Sequence, residues 1–285
     1  MTEILEKLTS AEYLISRLEA VCDSVKREKN GNIVGLIKGV ASHPLILEAH
    51  RDLPHFVCTA VEEEKVFLAH VGNFKGDKWE NCCVVSEKGV KATIGEDEEK
   101  LYAVIDGDNG EVSSGDVFYV LSSPEYTDGN IATYGISSTA PAAALLLAAE
   151  KVSAHHPLRD VYFAFTAEGQ YSYRLYADAA KKCAAEEAVC VGCIDAKESE
   201  MTAVRLCDRS FSSDKALSDK LIAMGVKPIA IREGRCAAGT VQLWGIPTAE
   251  LDLPVKDIGS LNESVKEADI CTMADILADF CDKQN

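Results

Sequence analysis

Positive charge is scarce in this chain: 29 Lys and Arg stand against 46 Asp and Glu, for a formal charge of −17. Nucleic-acid backbones are held by concentrated Lys and Arg, so this balance argues against nucleic acid as a partner. An acidic surface otherwise reports solubility. Long apolar runs are missing too. None approaches the roughly 20 residues needed to cross a bilayer, and no membrane partner is expected. The opening stretch, MTEILEKLTSAEYL, carries acids and no small-residue cleavage site, so a secretory leader is not expected. The eleven cysteines form no dense framework. They are scattered singly, as in Val57-Cys58-Thr59, which reads as buried reduced thiols in a cytoplasmic protein. Repeats and low-complexity stretches are absent. What remains is a 285-residue chain with 47% apolar residues, enough to bury a substantial core.

The periodicity predicts a helix over 2–28, with Ile4, Leu8, Leu14, Leu18, Val21 and Val25 at helical spacing. Gly31-Asn32 breaks it, and buried strands follow at Ile33–Ile37 and Leu45–His50. From about 53 to 130 short β-like pieces recur at 56–61, 66–71, 82–86, 101–105 and 117–121. Lys88-Gly89 and Asp108-Asn109-Gly110 read as tight turns between them. The acidic run Gly95–Lys100 reads as a solvated loop. From 131 onward strands (161–166, 189–195, 248–253) alternate with helices (139–152, 171–185, 213–224). Ser260-Leu261-Asn262-Glu263 reads as a capping box opening a last helix. This order predicts an α/β fold: a mixed sheet covered by helices on both faces, built from 1–54 plus 131–285, with a small β-barrel-like domain inserted at 55–130.

Five segments, in chain order, carry a resemblance. Ala49-His50-Arg51-Asp52-Leu53-Pro54-His55-Phe56-Val57 resembles an Ala-His-x-Asp-Glu-x-Gly-Phe-x signature. Gly115-Asp116 follows, and then Val161–Gln170 resembles a strand ending in Phe-Thr-x-x-Glu-Glu. Ile194-Asp195 resembles a strand ending in an aspartate ligand. Gly245-Ile246-Pro247-Thr248, running on to Gly259-Ser260, resembles a Gly-x-Pro-Thr strand ending in Tyr-x-His-Ser. Together they are similar to the glutamyl and deblocking aminopeptidases, cobalt- or zinc-dependent peptidases with a zinc-aminopeptidase-like (phosphorylase/hydrolase-like) fold. The resemblance implies two metal ions held by five side chains, with a further glutamate as general base.

Carried over position by position, the resemblance assigns the first histidine ligand to His50 and its orienting aspartate to Asp52. The second aspartate ligand falls on Asp195. The bridging aspartate falls at or near Ser137, the adjacent glutamates on Gly169 and Gln170, and the final histidine on Gly259. Glu168, one residue early, is a candidate base. Two ligands of five imply no cofactor or a weakly bound zinc or cobalt ion, since zinc normally takes three or four protein ligands. His50 and Asp52 read equally as a hydrogen-bonded pair at a strand end, and Asp195 as a turn cap. Three functions stay open: a weakly active or non-catalytic aminopeptidase homologue that binds a peptide or amino acid, a hydrolase rebuilt on His50, Asp195 and Glu168, and a structural subunit of a homo-oligomer. Cys190 and Cys193 share a strand and should face opposite ways, which argues against a metal pair. His155-His156-Pro157 reads as an exposed loop.

Overall fold

A computed structural model of the chain describes residues 1–75, 79–97, 100–107, 111–232 and 236–282. The turn expected at Asp108–Gly110 and Glu98-Glu99 of the acidic run lie outside the described residues.

An eight-stranded mixed sheet forms the core. Its order is Ser24–Arg27, Ile33–Ile37, Arg159–Thr166, Ala41–His50, Glu187–Asp195, Thr248–Val255, Ala203–Cys207 and Lys227–Ala230. The four central strands run parallel, and the flanking Ile33–Ile37 and Ala203–Cys207 are antiparallel to their inner neighbours. The Thr248–Val255 strand is buried along its whole length, as a strand covered on both faces must be. One face packs against helices Ile136–Ser153 and Glu267–Asp282, the other against Arg174–Lys182 and Ala238–Gln242. Ile136–Ser153 is rich in Ala and Leu and is buried on nearly every side, so it behaves as a core helix.

Six strands between His55 and Val120 close into a barrel around Phe56, Val66, Trp79, Val84 and Phe118. A three-stranded sheet, Glu125–Thr127, Asn130–Ala132 and Ser264–Lys266, ties the exit of the barrel to the C-terminal segment. No helix among the described residues is long and apolar enough to cross a membrane.

Several expectations need correction. The single helix over 2–28 is two helices, Thr2–Lys7 and Ala11–Glu19, followed by the strand Ser24–Arg27. Ser10 starts the second helix by accepting a hydrogen bond from Tyr13 N–H, which breaks the run. Val25 then pairs with Gly35 across a hairpin. Lys91–Asp97 is a barrel strand that includes the start of the supposed acidic loop, with the Tyr102 ring lying across Gly95. The edge-side strands Ala203–Cys207 and Lys227–Ala230 are additional to those expected from the sequence. All eleven cysteines are free, but Cys83 and Cys207 are exposed. Cys190 and Cys193 do face opposite layers, one packed in each helix–sheet core. His155 and His156 are exposed.

Candidate functional site

The candidate site lies at the C-terminal ends of the parallel strands, where open α/β sheets place their ligand crevices. Strand Ala41–His50 ends at His50, Arg159–Thr166 leads into Glu168–Gln170, and Glu187–Asp195 ends at Asp195. Parallel register sets Thr166 beside His50, so the sheet itself brings the loop that follows Thr166 over the imidazole.

His50 Nδ1 lies 3.2 Å from Tyr176 Oη, and its Nε2 lies 3.4 Å from Gln170 Nε2. Burial, partly opposed by the Asp52 charge, lowers the His50 pKa and favours the neutral ring. Asp52 is fully engaged: Oδ1 accepts from Gly169 N–H at 2.8 Å and Oδ2 from Gln170 N–H at 2.9 Å. It holds the loop rather than the ring of His50. The Gln170 side-chain amide donates to Ser138 Oγ at 2.8 Å and to the Asp52 carbonyl at 3.3 Å.

Gly169 is wedged against His50. A Cβ built on it would collide with Cβ and Cγ of that residue, so no side chain fits at position 169 with this backbone. Glu168 turns the other way. Its backbone has φ +58°, and its carboxylate pairs with Arg174 at 2.7 Å near the surface. Glu168 therefore does not converge with His50.

Ser137 belongs to a separate cluster. Its N–H and hydroxyl both donate to Glu263, at 2.8 and 3.0 Å, and Gly259 N–H donates to the same carboxylate at 2.5 Å. Burial raises the Glu263 pKa, with those three bonds pulling against it. Glu263 is thus not part of a capping box on the last helix, which starts at Glu267. It caps the N-terminus of Ile136–Ser153 instead, because the chain turns back at 257–263 and lays the carboxylate against that end.

Asp195 accepts from Lys75 Nζ at 3.2 Å and from Lys197 N–H at 3.0 Å. Burial would raise its pKa, but these two donors outweigh it and hold the carboxyl low. Gly259, with φ +86°, faces the loop at 73–75: Lys75 N–H donates to its carbonyl at 2.9 Å. Beside Asp195 opens a pocket of about 440 Å³ whose lining includes Lys197, Glu200, Lys256, Lys266 and Asp269.

A second polar row runs beneath the site. Glu48, Cys190, Glu250 and Arg205 are register neighbours on one face of the sheet. Arg205 binds Asp252 through two bonds of 2.8 Å, and Glu250 accepts from Ala238 N–H at 3.1 Å. Neither carboxylate oxygen of Glu48 has a hydrogen-bond partner among the described residues. Burial pushes Glu250 up to about 8, with the Asp252 charge adding to it.

The donor set does not fit a two-metal centre. The positions that the resemblance assigns to it hold one imidazole, one carboxylate already paired with a lysine, a serine bound to Glu263, a glutamine and two glycines. Among the described residues no group of three or more His, Cys, Asp or Glu is arranged to hold a metal ion. Lys75 and Tyr176 carried no signal of a site role in the sequence. Ser138 stood beside the position expected for the bridging aspartate, and Glu263 in a segment singled out for a different role.

No family profile and no curated protein matches the chain. Solved structures do. A TET aminopeptidase from a marine-sediment Thaumarchaeota archaeon shares its fold at TM-score 0.90 and 15% identity, covering 99% of this chain and 96% of that one. Aminopeptidase APDkam598 from Desulfurococcus kamchatkensis gives 0.91 at 16%, covering 99% and 94%. The TET1 peptidase of Pyrococcus horikoshii, which can assemble into a tetrahedron or a large octahedral shell, gives 0.85 at 20%, covering 99% of both chains. The chain has the mixed α/β fold of these aminopeptidases.

Proposed function

We propose that this chain is a divergent relative of the glutamyl and deblocking aminopeptidases that does not carry out their metal-dependent hydrolysis. In this reading it binds a peptide or a free amino acid and assembles with copies of itself. The observation that carries the reading is Gly169 packed on His50. The glutamate pair that would supply a base and a ligand has no room at its first position, and its second position is an amide.

Two-ion hydrolysis needs carboxylates and imidazoles that grip both ions and activate water between them. His50 and Asp195 alone give a divalent ion too few ligands for tight binding. A rebuilt single-metal site on His50, Asp195 and Glu168 has less support, because Arg174 draws the Glu168 carboxylate away. The pocket beside Asp195 is lined by both lysines and carboxylates, which suits a zwitterionic ligand such as an amino acid or short peptide.

The test is metal content together with turnover. Purified protein incubated with zinc or cobalt and dialysed should retain well under one ion per chain. It should hydrolyse aminoacyl substrates no faster than background. Two retained ions with turnover in the ordinary enzyme range, about 1–1,000 per second, would end this reading. One retained ion, with activity abolished in a folded His50→Ala variant, would replace it with the single-metal hydrolase.

A further inference from the structure

We infer that two N–H donors of this chain, the Gln170 amide and the Lys75 ammonium, stand in for the cations of its own site. The inference rests on the metal-free reading above and says what replaced the ions.

The Gln170 amide nitrogen has two hydrogens and three neighbours that can accept them: Ser138 Oγ at 2.8 Å, the Asp52 carbonyl at 3.3 Å and His50 Nε2 at 3.4 Å. A neutral imidazole whose Nε2 accepts this N–H carries its proton on Nδ1, facing Tyr176 Oη. In that tautomer the ring nitrogen that a metal would take faces the amide. The Lys75 ammonium meets the other surviving ligand, Asp195 Oδ2, at 3.2 Å. Asp52 is engaged differently, by two backbone N–H groups. Each surviving ligand atom thus already faces a donor, and little uncompensated negative charge is left to draw in a divalent ion.

The backbone accounts for how these donors arrive. A Cβ on Gly259 would press within 3.1 Å of Asn73 O and Lys75 N, so a side chain there would push the 73–75 loop outward. The missing side chain at 259 and the presence of Lys75 over Asp195 are one arrangement. The same loop begins at Gly72, whose backbone packs against Gln170 Oε1. One barrel loop therefore seats both donors.

The double variant Lys75→Met/Gln170→Glu removes the ammonium and adds a carboxylate beside His50. It should bind cobalt at least tenfold more tightly than the wild type in calorimetry. Its Tm should rise by several degrees on adding cobalt chloride, while the wild-type Tm stays unmoved by cobalt or by EDTA. A folded double variant that binds cobalt no better than the wild type overturns the inference and leaves the metal-free reading standing. A wild type that itself holds cobalt tightly overturns both. Should the double variant not fold, nitrogen NMR of wild-type His50 decides. An unprotonated Nε2 is expected, and a proton on Nε2 overturns the assignment.

Discussion

Gly169 shows how one missing side chain organises a site. The backbone there approaches His50 so closely that even a methyl group must displace the imidazole or the loop. Displacement would also strain the two N–H bonds to Asp52 that fix the loop. Gly169→Ala should therefore destabilise the protein by about 1–3 kcal/mol, the usual cost of overpacking. Urea unfolding measures this, and an unchanged midpoint would mean that the contact relaxes freely. At this scale the sequence was partly readable. His50, Asp52 and Asp195 sit in segments with a recognisable order of neighbours. Lys75 has no such context, since a lysine after Asn73-Phe74 looks like any surface lysine. Its role comes from a contact 120 residues away in the chain. Glu168 was readable as an acid near a strand end, but not the positive φ that sends it toward Arg174.

Elements were legible where the chain repeats a period and illegible where tertiary contacts decide. The central strands and the Ala-rich helix announce themselves by apolar runs. The break at Ser10 and the strand Lys91–Asp97 depend on capping and on pairing with a neighbour. The central strands also carry a less visible feature, the buried row Glu48–Cys190–Glu250–Arg205. Cys190, Cys236, Tyr173 and Tyr176 face Glu250 as neutral groups, Glu48 as a second buried carboxyl, and Asp252, Asp208 and Arg205 as charged groups. A carboxyl whose pKa rises on folding holds its proton more tightly in the folded state. Glu250 therefore adds stability below its ordinary value of 4.5 and loses that contribution as pH climbs through about 8. Glu250→Gln keeps an acceptor for Ala238 N–H but cannot ionise. Relative to wild type it should gain about 1–3 kcal/mol at pH 8.5 and much less at pH 5. Thermal melts across that range would show it, and parallel pH profiles for the two proteins would contradict it.

At the scale of the whole molecule, the barrel and the sheet are joined by more than the chain crossing between them. The small sheet pairs Asn130–Ala132 with Ser264–Lys266, and the 73–75 loop reaches back to Gly259 and Asp195. A barrel fixed in this way can present a rigid surface to another subunit. The self-association proposed above should follow a closed symmetry, the common case for soluble homo-oligomers. Light scattering at micromolar concentration should give a mass well above 30.8 kDa. A monomer would remove the assembly half of the proposed function and leave the ligand-binding half untouched.

The order of strands in the central sheet also fixes an order in time. Strand Ala41–His50 lies between Arg159–Thr166 and Glu187–Asp195, both made more than a hundred residues later. All six barrel strands, by contrast, lie between His55 and Val120. During synthesis from the N-terminus, the barrel segment is complete before the apolar strand ahead of it has either neighbour to pair with. That early strand, flanked by a finished barrel and an unfinished sheet, is the stretch most in need of shielding while the ribosome is still at work.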